Sequence, residues 1–154
     1  EQGPHLMQSF TELLKDHTLI LGASNKLLAI IDDAEPAPGP AFDALRRLSA
    51  QLDAHLAAED KFIREEDDLG HKDFGALAAE HGAKFDALVS EWSVYLREWS
   101  EENIAEDWPT FAYETRRILS RLNEQVEAEN QALYPAALKY GLIRLVPAKD
   151  KAAA

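Results

Sequence analysis

The chain has 154 residues, 46% of them hydrophobic, and a formal net charge of -12. This suits one globular domain and argues against nucleic-acid or anionic-membrane partners. It has no cysteine, which excludes disulfides, thiolate metal sites, iron–sulfur clusters and cysteine nucleophiles. No apolar run approaches the ~20 residues of a membrane span, and no signal-peptide pattern is present, so a cytoplasmic location is expected.

Residues 1–6, with Gly3-Pro4-His5 ahead of Met7, read as an expression-tag scar, which sets His5 aside. One domain over 7–146 and a frayed tail over 147–154 are expected. Four stretches then carry apolar residues at helical steps of three and four. The first runs through Phe10, Leu13, Leu14, His17, Ile20, Leu21, Ser24, Leu27, Leu28 and Ile31. Three prolines and a glycine between Asp32 and Pro40 predict a loop. The second stripe is Phe42, Leu45, Leu48, Leu52, His55, Leu56, Glu59, Phe62 and Ile63, and Gly70 is a plausible cap at its end.

The third stripe is Phe74, Leu77, Ala78, His81, Phe85, Leu88, Trp92, Tyr95, Leu96 and Trp99. The polar segment Ser100 to Asp107 predicts a loop. The fourth stripe is Phe111, Thr115, Ile118, Leu119, Leu122, Gln125, Val126, Glu129 and Leu133, and Pro135 is expected to break it. Ala136 to Tyr140 adds one more turn before Gly141. No strand-period segment and no internal repeat is present. Four long helices with short connections predict an all-α, up-down-up-down antiparallel four-helix bundle.

Each stripe faces the other three helices, so each should be apolar. Yet His17 interrupts the first, His55 and Glu59 the second, His81 the third, and Gln125 and Glu129 the fourth. With helices over 10–32, 41–67, 72–99 and 107–134, a rise of ~1.5 Å per residue puts all six at ~10–15 Å from one end of the bundle. A lone core histidine is commonly just a satisfied buried residue. Glu59 could sit at a stripe margin, and Glu129 could pair with Arg46 or Arg121. One layer holding two carboxylates and three histidines is harder to explain that way, because an uncompensated buried charge is costly. A cation answers that cost. Imidazole nitrogen with carboxylate oxygen suits iron, manganese or zinc better than copper(I) or calcium. His71 reads as a surface residue, Glu65 to Asp68 as a solvated acidic face, and Trp92 and Trp99 as core.

Asp16-His17 in the first helix, His55-Leu56-Ala57-Ala58-Glu59 in the second, His81 in the third, and Glu129 followed by Leu133-Tyr134-Pro135 in the fourth resemble the haemerythrin-like HHE cation-binding domain. The resemblance spans about Ser9 to Tyr140. It implies a bundle around a non-haem di-iron centre, with two bridging carboxylates and histidines completing each iron. Its members variously bind or sense dioxygen, sense or buffer iron, or respond to nitric oxide and peroxide. By position, His17 and His55 resemble the histidines of one iron, Glu59 and Glu129 the bridges, and His81 a ligand of the second. The family usually offers a histidine four residues before the last glutamate, where this chain has Gln125. Dioxygen carriers have a further histidine four residues from His81, which is also missing here. A neutral amide oxygen is the weaker donor. One firmly held iron and a weaker second position are therefore expected, with a diatomic or peroxide ligand.

No catalytic residue stands out, and a sensing or handling role is expected over catalysis. The alternatives are an oxidase- or peroxidase-like enzyme on the same bundle and a metal-free interaction module.

Overall fold

A computed structural model describes residues 8–69 and 72–147, and the side chains of 61–73 lie outside that description. Residues 1–6, expected to be a tag scar, His71, Gly70, the side chains of the acidic run and nearly all of the tail are therefore outside the described residues. Helix α1 spans Phe10–Asp32. Its first turn is held reciprocally: Ser9 Oγ accepts from the Glu12 N–H at 3.1 Å and donates to the Glu12 carboxylate at 2.9 Å. Such exchange satisfies groups that a helix start leaves open.

Helix α2 spans Pro38–Leu69 and α3 spans Lys72–Glu98. The expected Asp32–Pro40 loop is thus shorter than its prolines suggest. Pro38 and Pro40 stand in the first turn of α2, where no N–H is needed. Ser100 to Asp107 is likewise not a plain loop, because a short helix α4 occupies Glu101–Glu106. Ser100 Oγ caps it by accepting from the Asn103 N–H. Glu101 and Glu102 favour its positive end, and Ile104 anchors it in the core.

Helix α5, Trp108–Ala128, is capped by Asp107 through the Thr110 N–H. One π turn, Glu129–Leu133, leads directly into α6, Tyr134–Lys139. Pro135 therefore does not end the helical path as expected. The wider turn resets the register, and Pro135 falls at the start of α6, where its missing N–H costs little. Gly141, at φ +75°, closes α6. Its N–H reaches the Leu138 carbonyl and the Leu142 N–H reaches Ala137, a paired closure that needs a left-handed residue.

α1, α2, α3 and the α5–π–α6 path are the four members of an antiparallel bundle, with α4 at one end. At the other end Arg144 bonds back to Gln8 and Phe10 through backbone groups, tucking Leu142 and Ile143 inside. Two apolar clusters result. The larger includes Ile20, Leu27, Leu48, Trp92, Trp99 and Leu119. The smaller includes Leu13, Phe74, Leu133, Tyr134, Leu142 and Ile143. Along the chain His17 and His81 fall between members of the two clusters, as does Glu129. Among the described residues no helix is long and apolar enough to cross a membrane.

Candidate metal centre

His17 lies early in α1, His55 and Glu59 late in α2, and Glu129 at the start of the π turn. The bundle brings one ligand atom from each within 4.8 Å of all the others, and all four residues are buried. His55 Nε2 is 2.5 Å from Glu59 Oε2, and His17 Nε2 is 3.0 Å from Glu129 Oε1. The two Nε2 atoms are 2.9 Å apart. The longer separations, His17 to Glu59 and His55 to Glu129, are 3.9 and 3.8 Å. Donors of one cation at ~2.0–2.2 Å can stand at most ~4.4 Å apart, so these separations suit a single ion.

Both imidazoles are aimed from behind. His17 Nδ1 is 2.6 Å from Asn130 Oδ1, and His55 Nδ1 is 3.4 Å from Asp16 Oδ2. An acceptor behind Nδ1 keeps the proton there and leaves the Nε2 lone pair free for a metal. Asn130 has no place in the apolar stripe and carries no signal in spacing alone.

The electrostatics follow from burial and pairing. Burial by itself would depress the basicity of His55, but hydrogen bonds to Glu129 and Glu59 and their charges overcome it and push the pKa up to about 10. His17 is raised for the same reasons, against burial and the opposing charge of His55. Burial raises Glu129, but hydrogen bonds from His17, His55 and others outweigh it and hold the carboxyl well below its usual range. Without a cation both imidazoles thus hold a proton more tightly than free histidine does. Proton and metal compete for the same two nitrogens.

The other two residues of the layer are placed differently. His81 is buried but is not one of the quartet, and its Nδ1 has no hydrogen-bond partner among the described residues. Gln125 is also buried and donates its amide N–H to Glu129 Oε2 at 2.8 Å. It steadies a carboxylate. Neither arginine considered for Glu129 reaches it in the described contacts: Arg121 pairs with Glu91, and Arg46 lies over the Phe42 ring.

A fifth side chain, to which the residue pattern assigns no role, enters the centre. The Tyr134 hydroxyl is 2.9 Å from His17 Nε2, His55 Nε2 and Glu59 Oε2, and 3.3 Å from Glu129 Oε1. In an α-helix residues five apart differ by about 140° in direction. The π turn, closed by the Tyr134 N–H on the Glu129 carbonyl, brings both onto the inner face. On the side of the larger core, a cavity of about 30 Å³ adjoins the cluster. His17, His55, Gln125 and Glu129 form its polar wall, and Ile20, Leu88, Trp92 and other apolar side chains the rest. Tyr134 does not line it.

A helical bundle with two histidines and two carboxylates converging in its core, each imidazole oriented by an outer partner, could hold a metal cation. The model of the hemerythrin HHE cation binding domain matches residues 8–137, and the chain belongs to that family. Comparison with curated proteins and with solved structures gives no match.

Proposed function

We propose that the protein binds non-haem iron at His17, His55, Glu59 and Glu129 and thereby senses or handles iron, dioxygen or a related oxidant. A second, weaker metal position at His81 and Gln125, sharing the two carboxylates, belongs to the same reading, as does a cytoplasmic setting. The observation that carries it is the convergence of four buried donors whose imidazoles are turned metal-ready by Asn130 and Asp16. Two nitrogens and two carboxylate oxygens suit iron, and manganese or zinc are the competing ions. Bound iron would supply an open position for a small ligand. The adjoining cavity is about the size of one small molecule and mostly apolar, which favours a diatomic such as dioxygen over a bulky substrate. His81 Nδ1, which has no partner among the described residues, supports the second position, because a buried polar atom calls for one.

A metal-free interaction module has one observation in its favour: the Tyr134 hydroxyl and the imidazole–carboxylate pairs satisfy one another without an ion. Against it, apolar residues in place of such a buried charge cluster are often stabilising by ~1–4 kcal/mol. Elemental analysis of protein produced in iron-supplemented cells separates the two. About one iron per chain is expected, and protein free of iron, manganese and zinc overturns the proposal. Peroxide consumption by the iron-loaded protein then separates an oxidase- or peroxidase-like enzyme from a sensor.

A further inference from the structure

We propose that Tyr134 is itself a metal ligand, its phenolic oxygen joining His17, His55, Glu59 and Glu129 in one coordination sphere of two nitrogens and three oxygens. This rests on the metal-binding reading above and extends it to a residue that neither the donor spacing nor the metal-site chemistry of histidines and carboxylates assigns. Its oxygen lies within 3.3 Å of a donor atom from each of the other four residues. His17 to Glu59 at 3.9 Å and His55 to Glu129 at 3.8 Å are the diagonals of the four donors, so a cation at their crossing lies roughly 2 Å from each donor and, by the same distances, at about a bond length from the phenolic oxygen. The hydroxyl must then either withdraw from the centre or bind the ion.

Withdrawal is blocked by packing. Tyr134 is completely buried. Its ring stacks on His17 at a centroid distance of 5.0 Å and 24°, and Phe10 meets its edge at 6.4 Å. Leu13, Phe74 and Leu133 pack in the same cluster. Protein interiors are close-packed, so a ring in such a setting cannot swing away without displacing its neighbours. The oxygen already stands at about bonding distance from the point where the donors converge, so the ion can enter with the ring in place. The backbone is built for the same placement, since the π turn alone brings residues 129 and 134 to one face, and such turns collect at functional sites. Tyr134 also approaches from outside the small cavity, leaving that side of the ion to an exogenous ligand.

The step is a ligand exchange in which a water carried in by the ion leaves the metal and takes up the phenolic proton. The oxygen–metal bond forms, the phenolic O–H bond breaks, its proton passes to water, and no electron is transferred. A hard anionic oxygen favours trivalent over divalent iron, so the ferric state gains most.

The test uses the full chain, loaded without oxygen with one equivalent of ferrous sulfate, oxidised with ferricyanide and desalted. A phenolate bound to ferric iron produces a visible charge-transfer band whose resonance Raman spectrum contains tyrosine ring modes. The band is expected in the parent, lost in Tyr134→Phe and retained in Tyr95→Phe, Tyr113→Phe and Tyr140→Phe, which cover all four tyrosines. The phenylalanine ring preserves the packing, so Tyr134→Phe should still hold iron. If it does not, retention of the modes in the other three variants assigns them by elimination. Iron bound by the parent without tyrosine modes overturns the assignment and leaves the metal-binding reading standing, as does persistence of the modes in Tyr134→Phe or their loss in another variant. A parent that takes up no iron overturns both.

Discussion

His17 Nδ1 and Asn130 Oδ1 lie 2.6 Å apart, joining the first helix to the π turn directly behind the candidate metal centre. Only an Nδ1–H can donate to that carbonyl, so the contact selects the tautomer whose Nε2 faces inward. Loss of such an outer partner typically costs 10–100-fold in metal affinity. Asn130→Ala should therefore weaken iron binding by about that factor while leaving the helical content intact. Competition against a chromophoric chelator measures it, and an unchanged affinity would show that the bond does not orient the ligand.

Glu59→Ala should abolish stoichiometric metal binding, whereas Lys84→Ala, on the exposed face of α3, should be silent. The same change removes the nearest carboxylate from His55 in a buried cluster, and breaking such a pair costs ~3–5 kcal/mol. Metal counted per chain and a denaturant titration of the metal-free proteins give both readouts. Equal metal content in the two variants would refute the role of Glu59.

The metal-free protein should lose stability at high pH. The folded pKa of His55, about 10, lies above its ordinary 6.5. Its contribution is fully present below pH 6.5 and declines as pH rises through about 10, and the raised His17 acts in the same direction. Glu129 is depressed from 4.5, so its contribution is present above that pH and lost in stronger acid. Metal uptake runs the other way, since rising pH removes the competing protons. The gap in Tm between iron-loaded and chelator-treated protein should widen from pH 6.5 towards 10. A metal-free Tm that stays flat across that window would contradict the raised basicity of His55.

Gln125→His should raise metal content from about one towards two per chain. Position 125 lies one turn before Glu129 on the same face, and its amide already reaches that carboxylate at 2.8 Å. An imidazole there would stand in the same polar layer as His81, whose Nδ1 has no partner among the described residues. Adding His81→Ala to the variant should return the content to about one. A parent that already carries two tightly bound irons would show that Gln125 is no impediment.

The periodicity of the chain by itself determined the four-helix bundle, because burying one apolar stripe per helix leaves few other ways to pack. It also determined that His17, Glu59 and Glu129 point inward, since a shared stripe and a shared height are properties of spacing. Proline and polar composition were poorer guides. Pro38, Ser100 and Pro135 mark helix starts in this chain, and only the caps and the neighbouring packing distinguish a start from a break. The tertiary structure decided what surrounds the centre. Asn130 and Asp16 act across helices, and contacts between residues more than a hundred or nearly forty positions apart leave no mark in local pattern. Tyr134 escaped for a sharper reason. A 3.6-residue period carries the inner face from Glu129 to Leu133, and only a π turn, fixed by backbone hydrogen bonds within the packed bundle, rotates the next residue back to the core.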